Sequence, residues 1–215
     1  MPTRFSSLAA LHRPSTPPEC LPLCVPPWDT AEALDAGAKY TDQKGFHVEA
    51  DAFLGNLWKW LPRMYDPDRQ KPILMPEMLP VTTWEQNIRH NMGPAVWDRL
   101  RRHAYKAAGF RCEVCGDPGK LEAHEAWRLI NETSVQKLER ILALCPLCHK
   151  AHHLGIARRL GMLPDVRQQL NRVNCWSDAQ TAAAIQDAYE TWEQRCEWPW
   201  TVDLSWLYDS GYIYV

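Results

Sequence analysis

Hydrophobic residues recur at helical spacing in three parts of the chain, and each part predicts an amphipathic helix. These parts are residues 47–61, residues 93–108 and a stretch that begins near residue 177 and ends near residue 195. The apolar stripes are Phe53, Leu54, Leu57, Trp58 and Leu61 in the first part, Val96, Leu100, Ala104 and Ala107 in the second, and Ala184, Ile185, Ala188 and Trp192 in the third. In the third part, Ser177 followed by Gln180 has the spacing of a capping box, which marks a helix start.

Polar and apolar residues alternate over Lys120–Glu125, which predicts a half-buried strand with His124 and Glu122 on one face and Glu125 on the other. Two further helices are predicted, one from Leu144 to about Leu160 and a short one that begins at residue 163. The predicted fold class is therefore α+β and mainly helical, with a small central module flanked by helical and irregular extensions.

Prolines divide the chain. Seven of them in residues 1–30, six of these between Pro14 and Pro27, deny that segment regular hydrogen-bonded structure and predict an extended or disordered arm, and five more make residues 62–80 a loop. The predicted division is a proline-rich arm at 1–30, a helical and irregular region at 31–95, the central module at 96–163 and a helical acidic region at 164–215.

Charge is distributed unevenly along the 215 residues, although the formal net charge is only −2. Residues 89–111 contain six basic residues and one acid, whereas the segment from residue 177 to the end contains seven acids and one base. Arg99, Arg102 and Lys106 fall on one side of the second predicted helix, so we expect them to contact nucleic-acid phosphates. The alternative is a solvated helix face.

The eleven tryptophans are many for this length, and we expect them to fill a core or a protein interface rather than to stack on bases. The tryptophan-rich and acidic flanks therefore suit a protein partner. No apolar run reaches the roughly 18 residues of a membrane span, and the first residues have too short an apolar stretch for a signal peptide. The sequence thus predicts a cytoplasmic protein with no membrane partner.

The cysteine pattern carries the most chemistry. Cys112-x-x-Cys115 and Cys145-x-x-Cys148 each offer two thiolates from a tight turn, and together they can build the closed tetrahedral shell of a structural zinc site. Two unrelated buried or redox pairs are the alternative. His152 lies four residues after Cys148 on the predicted helix, so it could also replace a cysteine as a zinc ligand.

Three histidines predict a second, open metal site beside the zinc. His149 and His153 are four residues apart and converge on one helix face, and His124 can reach them from the strand. Imidazoles suit zinc or nickel and, with water in the open positions, magnesium or manganese. An open divalent site next to a basic surface suggests phosphodiester hydrolysis.

The segments CEVCG, LEAHE and LALCPLCHKAHH resemble those of HNH nucleases, the His-Me or ββα-metal finger class built on a treble-clef zinc scaffold. The resemblance covers the central module alone. It implies that His124 is a metal ligand, that Glu125 occupies the general-base position, and that His149 and His153 are the helix ligands. It also implies DNA as the substrate.

Two departures from the HNH pattern stand out: Glu125 replaces a histidine, and Arg140 replaces an asparagine. A carboxylate is a weaker base than imidazole by about 3 kcal/mol unless burial raises its pKa. The register could also shift, with His124 as the base and Glu122 or Glu125 helping to hold metal, because His124-Glu125-x-Trp127 resembles a recurring His-Glu-x-Trp variant. The sequence leaves both registers open.

The leading hypothesis is an HNH-type endonuclease that hydrolyses DNA with a divalent metal. A degenerate HNH module that binds nucleic acid or a protein without cutting is the main alternative, favoured by the two departures. A plain zinc scaffold for protein assembly is the third.

Overall fold

Two three-stranded sheets and eight α-helices make up the part of the chain that the structure describes, which is residues 19–66 and 72–211 of a computed structural model. The strands are β1 (Cys20–Pro22), β2 (Lys39–Thr41), β3 (Gly45–Glu49), β4 (Glu122–Ile130), β5 (Val135–Leu144) and β6 (Thr201–Asp203). The helices are α1 (Thr30–Asp35), α2 (Ile88–Met92), α3 (Pro94–Ala107), α4 (Pro146–His152), α5 (Leu154–Arg159), α6 (Leu163–Asn174), α7 (Asp178–Cys196) and α8 (Trp206–Asp209). The mixed helix and strand content agrees with the predicted class.

The amino-terminal sheet corrects the expectation of an irregular arm. Residues 1–18 lie outside the described part, but Cys20–Pro22 forms β1, which pairs antiparallel with β3 and places Leu21 opposite Val48. The strand order is β1-β3-β2, so β1 is an edge strand. A proline is tolerated there because one side of an edge strand needs no N–H for a neighbour.

The helix predicted over residues 47–61 is wrong. The segment begins inside β3 and continues, after a turn, as a 3₁₀ helix at Gly55–Trp60. Leu54, Leu57 and Trp60 are buried, whereas Phe53 is 78% exposed. Burial at every third residue matches the 3.0 residues per turn of a 3₁₀ helix, and the stripe expected for an α-helix does not form.

The central hairpin pairs β4 with β5 in antiparallel register, with Glu122 opposite Leu144 and a bulge between Ala126 and Trp127. β6 adds to β5 in parallel, giving the order β4-β5-β6. Helix α3 packs against this sheet and confirms the predicted helix at residues 93–108. Leu100 and Ala104 are buried as expected, whereas Ala107 of the predicted apolar stripe is exposed.

The single helix predicted from Leu144 to about Leu160 is two helices in the structure. α4 ends at His152 and α5 begins at Leu154, because His153 between them has φ −119° and ψ 60°, outside the helical range. His153 therefore lies at a corner of the chain instead of on a continuous helix face.

The carboxy-terminal helices form as predicted. α6 begins at Leu163, and the Ser177 hydroxyl accepts a hydrogen bond from the Gln180 backbone N–H in a complete capping box at the start of α7. Val166 and Leu170 share one buried core with the four cysteines of the central module. The division of the chain at residues 30, 95 and 163 stays a prediction.

The loop before α2 is held by a buried asparagine. The Asn174 side chain accepts hydrogen bonds from the backbone N–H groups of Ile73 and Leu74 and donates one to the Leu74 carbonyl. The Asn174 side chain thus fixes the start of the loop, and the residues that follow, including Glu77, lie next to the central hairpin. Within residues 19–66 and 72–211, none of the helices combines the length and the hydrophobicity that a membrane span requires.

Candidate metal centre

The four cysteines come together as the spacing predicts. Cys112, Cys115, Cys145 and Cys148 are reduced and buried, and their Sγ atoms all lie within 4.8 Å of one another. The Cys115 and Cys145 sulfurs are 3.8 Å apart. Thiolates at about 2.3 Å from a tetrahedral zinc would be separated by about 3.8 Å, so this sulfur cluster could hold zinc without rearrangement.

Hydrogen bonds shape both cysteine turns. The Gly116 N–H donates to the Cys112 carbonyl at 2.8 Å, and the Cys148 N–H approaches the Cys145 sulfur at 3.5 Å. Buried Gln169 donates its amide N–H to the Cys148 sulfur at 2.9 Å. Hydrogen bonds among the sulfurs lower the pKa of Cys115 and Cys145 and raise the pKa of Cys112 and Cys148.

His124, His149 and His153 form a second group, and a ligand nitrogen of each lies within 4.8 Å of the others. His124 Nδ1 and His153 Nε2 are 3.2 Å apart, close to the spacing of about 3.3 Å expected for two nitrogens on one tetrahedral zinc. The three ring pairs are edge-on, with interplanar angles of 68°, 68° and 89°. Steeply inclined rings can direct their in-plane lone pairs at a common point, as shared coordination requires.

Burial keeps these imidazoles neutral. It lowers the pKa of His124 well below its usual value, lowers the pKa of His149, and brings the pKa of His153 to about 4. Neighbouring histidines add to the effect because each would repel a second positive charge. Neutral imidazoles are the form that binds a metal, so the cluster needs no proton loss near neutral pH.

Glu122 fixes the orientation of His149. Its Oε2 atom lies 2.5 Å from His149 Nδ1 and accepts a second hydrogen bond from Lys150 Nζ at 2.8 Å. With Nδ1 occupied, His149 presents Nε2 to the cluster. Burial alone would raise the pKa of Glu122, but these two donors outweigh it and lower the pKa to about 2. Glu122 thus contacts the histidine cluster without belonging to it.

The other nitrogen of His124 faces a group that the sequence does not indicate. His124 Nε2 and His152 Nδ1 are buried without a hydrogen-bond partner in the described residues, and Glu77 Oε2 lies 3.8 Å from the first and 3.7 Å from the second. Burial raises the pKa of Glu77 to about 7. The ligand atoms of Glu77, His124 and His152 also lie within 4.8 Å of one another.

Ring geometry distinguishes the two groups. The His124 and His152 rings are stacked, with centroids 4.3 Å apart and planes inclined by 16°. Stacked rings that are nearly parallel lie in separate planes and cannot both direct in-plane lone pairs at one ion. His152 and Glu77 therefore suit a supporting position behind His124 better than a metal site shared with it. This arrangement also corrects the expectation that His152 could complete the zinc shell, because His152 lies with His124 and Glu77.

Glu125 lies on the other face of β4 from His124, as strand alternation predicts, and it reaches α2. Its Oε1 accepts a hydrogen bond from the Ile88 backbone N–H at 2.9 Å, and the Trp127 indole also donates to the carboxylate. Burial nevertheless raises the pKa of Glu125 to about 7. The Glu and Trp of the His-Glu-x-Trp segment therefore bond to each other.

A cavity of about 630 Å³ joins these features. His124, Glu125, His149 and His153 line it together with Glu77, and Arg159 is the basic side chain among its described lining residues. The remaining wall is largely apolar and includes Met78, Leu79, Trp84, Trp97, Trp127, Leu154, Ile156 and Trp192.

The predicted phosphate-contacting residues are exposed but lie apart from this cavity. Trp97 of α3 lines it, and at about 100° per residue Arg99, Arg102 and Lys106 project from the opposite side of the helix. The Arg102 guanidinium donates to the Asp98 carbonyl. Whether the three bind phosphates stays a prediction, and a nucleic acid would have to contact both sides of α3 to meet them and the histidines.

Comparisons of the chain with protein-family models, with curated proteins and with solved structures found no match. The sequence identified the sulfur ligands and the three converging histidines. It missed Glu77, whose loop position carries no periodic signal, and it considered His152 only as an alternative zinc ligand.

Proposed function

We propose that the chain is an HNH-type, metal-dependent endonuclease that hydrolyses phosphodiester bonds in DNA. The observation that carries the proposal is the edge-on convergence of His124, His149 and His153 beside a separate four-cysteine cluster. A knuckle, a hairpin and a helix follow one another in the order of a treble-clef ββα-metal module.

His149 and Glu122 supply a feature that supports metal binding at the histidines. A ligating histidine commonly donates its second N–H to a carboxylate, and the 2.5 Å contact of His149 Nδ1 with Glu122 reproduces that arrangement. A divalent cation at the three nitrogens would stabilise charge on a phosphate and on the leaving oxygen. The roles of the chain itself are to orient the three imidazoles and to limit water in the surrounding cavity.

Glu125 is the residue we assign to water activation in this proposal. It lines the same cavity, and burial raises its pKa to about 7, which reduces the disadvantage of a carboxylate against imidazole. The grouping of His124 with the other two histidines favours it as a ligand rather than the base.

Cleavage of supercoiled plasmid and of labelled single strands, with magnesium, manganese, nickel or zinc supplied, tests the proposal. We expect His149→Ala to abolish cleavage and to leave the zinc content unchanged, because His149 takes no part in the sulfur cluster. Glu132→Gln, a charge change at the exposed hairpin tip, is the control. Cleavage by His149→Ala at the wild-type rate would contradict the assignment.

The non-cutting module remains the second candidate, and specific contacts favour it. Glu125 is engaged by Ile88 and Trp127, and Arg140, at the position of the usual asparagine, pairs with Glu113. The two residues that depart from the HNH pattern, Glu125 and Arg140, are thus each held by contacts within the protein. A wild-type protein that binds DNA yet cuts nothing with any of the four metals would favour this candidate.

A further inference from the structure

The tryptophans of the cavity come from four separate elements. Trp84 follows a 3₁₀ turn, Trp97 belongs to α3, Trp127 to β4 and Trp192 to α7. Buried tryptophans elsewhere, such as Trp60, behave as core residues as the sequence predicts. The volume of about 630 Å³ is in the range of binding sites for organic ligands, and its largely apolar wall is typical of them.

Three of the four indole N–H groups of this wall are already used by the protein. Trp84 and Trp192 both donate to the Leu79 carbonyl, at 2.9 and 3.0 Å, and Trp127 donates to Glu125. These rings are therefore held in place. Trp127 is 7% exposed and belongs to the core, so the carbon surface offered to a ligand comes from Trp84 and Trp192 rather than from Trp127. Trp84 is 60% exposed, although its N–H is bonded to the Leu79 carbonyl. Within the described residues, its indole ring is therefore fixed in orientation but remains accessible to a ligand.

The polar end of the cavity restricts the ligand further. His124, His149 and His153 converge on its wall, and Arg159, which lines the same cavity, adds a positive charge. The two carboxylates on the wall already have contacts within the protein, since Glu125 Oε1 accepts from the Ile88 N–H and Glu77 lies near His124 and His152. A matching ligand has a flat apolar part for the indoles and an anionic part for the histidines and Arg159.

We propose that this cavity binds an unpaired nucleobase of the strand whose phosphate faces the three histidines, so that the preferred substrate is single-stranded or carries an extruded nucleotide. This inference rests on the proposed function and defines its substrate class. A base stacked within a duplex cannot reach tryptophans inside a cavity, whereas an unpaired base can stack on them, and such stacking tolerates any sequence. An apolar protein segment would also contact the indoles but lacks the phosphate that the polar end would bind.

Binding without cleavage tests the inference. Fluorescence anisotropy would compare a labelled thymidine oligonucleotide with its duplex, with no divalent metal added, for the wild type and for Trp84→Ala. Trp198→Ala is the matched control, because Trp198 is 56% exposed and lies outside the cavity lining. We expect tighter binding of the single strand and a loss of about 5- to 150-fold in Trp84→Ala, the range that corresponds to the stacking of one base.

Trp84→Phe distinguishes stacking from a change in loop structure. Phenylalanine keeps an aromatic face but cannot donate to Leu79, so recovery of at least part of the affinity supports stacking. An equal affinity for single strand and duplex, or a loss in Trp84→Ala no greater than in Trp198→Ala, would overturn the inference, as would failure of Trp84→Phe to recover any affinity. Binding of an apolar peptide in place of the oligonucleotide would overturn it in favour of a protein partner.

The two proposals fail in different ways. Cleavage of DNA by a protein that does not prefer single strands would remove the inference and leave the nuclease. A Trp84-dependent preference for single strands in a protein that never cuts would retain the base-binding cavity and indicate the non-cutting module.

Discussion

Glu122 offers the sharpest test of the histidine cluster as a metal site. Its carboxylate touches His149 Nδ1 at 2.5 Å and is not among the convergent ligand atoms. Removing it by Glu122→Ala should leave all three imidazoles in place but deprive His149 of the acceptor that fixes its orientation. Carboxylates behind ligating histidines typically contribute 10- to 100-fold to metal affinity. We therefore expect a loss of about 1.4–2.7 kcal/mol in binding free energy.

The geometry allows the expected losses to be ranked. Glu122→Gln keeps an oxygen that can accept from His149 but removes the charge, so its loss should be smaller than that of Glu122→Ala. Lys150 loses its partner in both variants and leaves a positive charge near the site, because its Nζ lies 2.8 Å from Glu122 Oε2. Lys150→Met removes that charge alone, and we expect it not to weaken metal binding. Glu132→Ala, at the exposed hairpin tip, controls for the loss of a carboxylate.

The assay is calorimetric titration of nickel or manganese into protein already loaded with zinc at the sulfur cluster. Elemental analysis before the titration establishes that zinc content is equal in all variants. The expected order of affinity is Glu132→Ala, then Glu122→Gln, then Glu122→Ala. An affinity of Glu122→Ala within about twofold of Glu132→Ala would refute the reasoning, because an acceptor that orients a ligand cannot be lost without effect.

Three further predictions concern the scaffold and the basic helix. Cys148→Ser should lose zinc and unfold the central module, since structural zinc binding contributes on the order of 10 kcal/mol to folding; elemental analysis and circular dichroism would measure both effects. Gly116→Ala should destabilise the protein by about 1–3 kcal/mol in urea unfolding, because φ is +77° and a Cβ atom would lie 2.6 Å from a Pro22 side-chain carbon; unchanged stability would contradict this. Alanine at Arg99, Arg102 and Lys106 together should lower the salt slope of DNA binding by about one per lost phosphate contact, and an unchanged slope would indicate a solvated helix face.

The elements that the sequence predicts correctly are those in which local spacing determines the result. The paired C-x-x-C turns bring four sulfurs together because each pair is local and the hairpin joins them. The capping box at Ser177 and the amphipathic pattern of α3 likewise depend on residues three or four apart. His124, His149 and His153 converge even though the predicted helix is interrupted, since His153 at the corner still lies one turn from His149.

The sequence-based predictions fail where tertiary contacts or a different helical period determine the structure. Leu54, Leu57 and Trp60 have a spacing of three, which a 3₁₀ helix satisfies and which the α-helical stripe through Phe53 conceals. Glu77 approaches His124 from a loop whose preceding residues are bonded to Asn174, about a hundred residues later in the chain. No pattern within the loop could have indicated this position.

We expect the histidine cluster to depend on the sulfur cluster for its structure, and the sulfur cluster not to depend on the histidines. Cys145 leads directly into α4, which carries His149, and the Ala143 N–H donates to Glu113 between the first two cysteines. A cation on the four sulfurs would therefore join the hairpin that carries His124 to the helix that carries His149. Loss of zinc should abolish both sites, whereas loss of a histidine should abolish only the second. Stepwise chelation would reveal this asymmetry through the order in which the two metals are released. Removal of the sulfur-bound zinc while the second metal stays bound would contradict it.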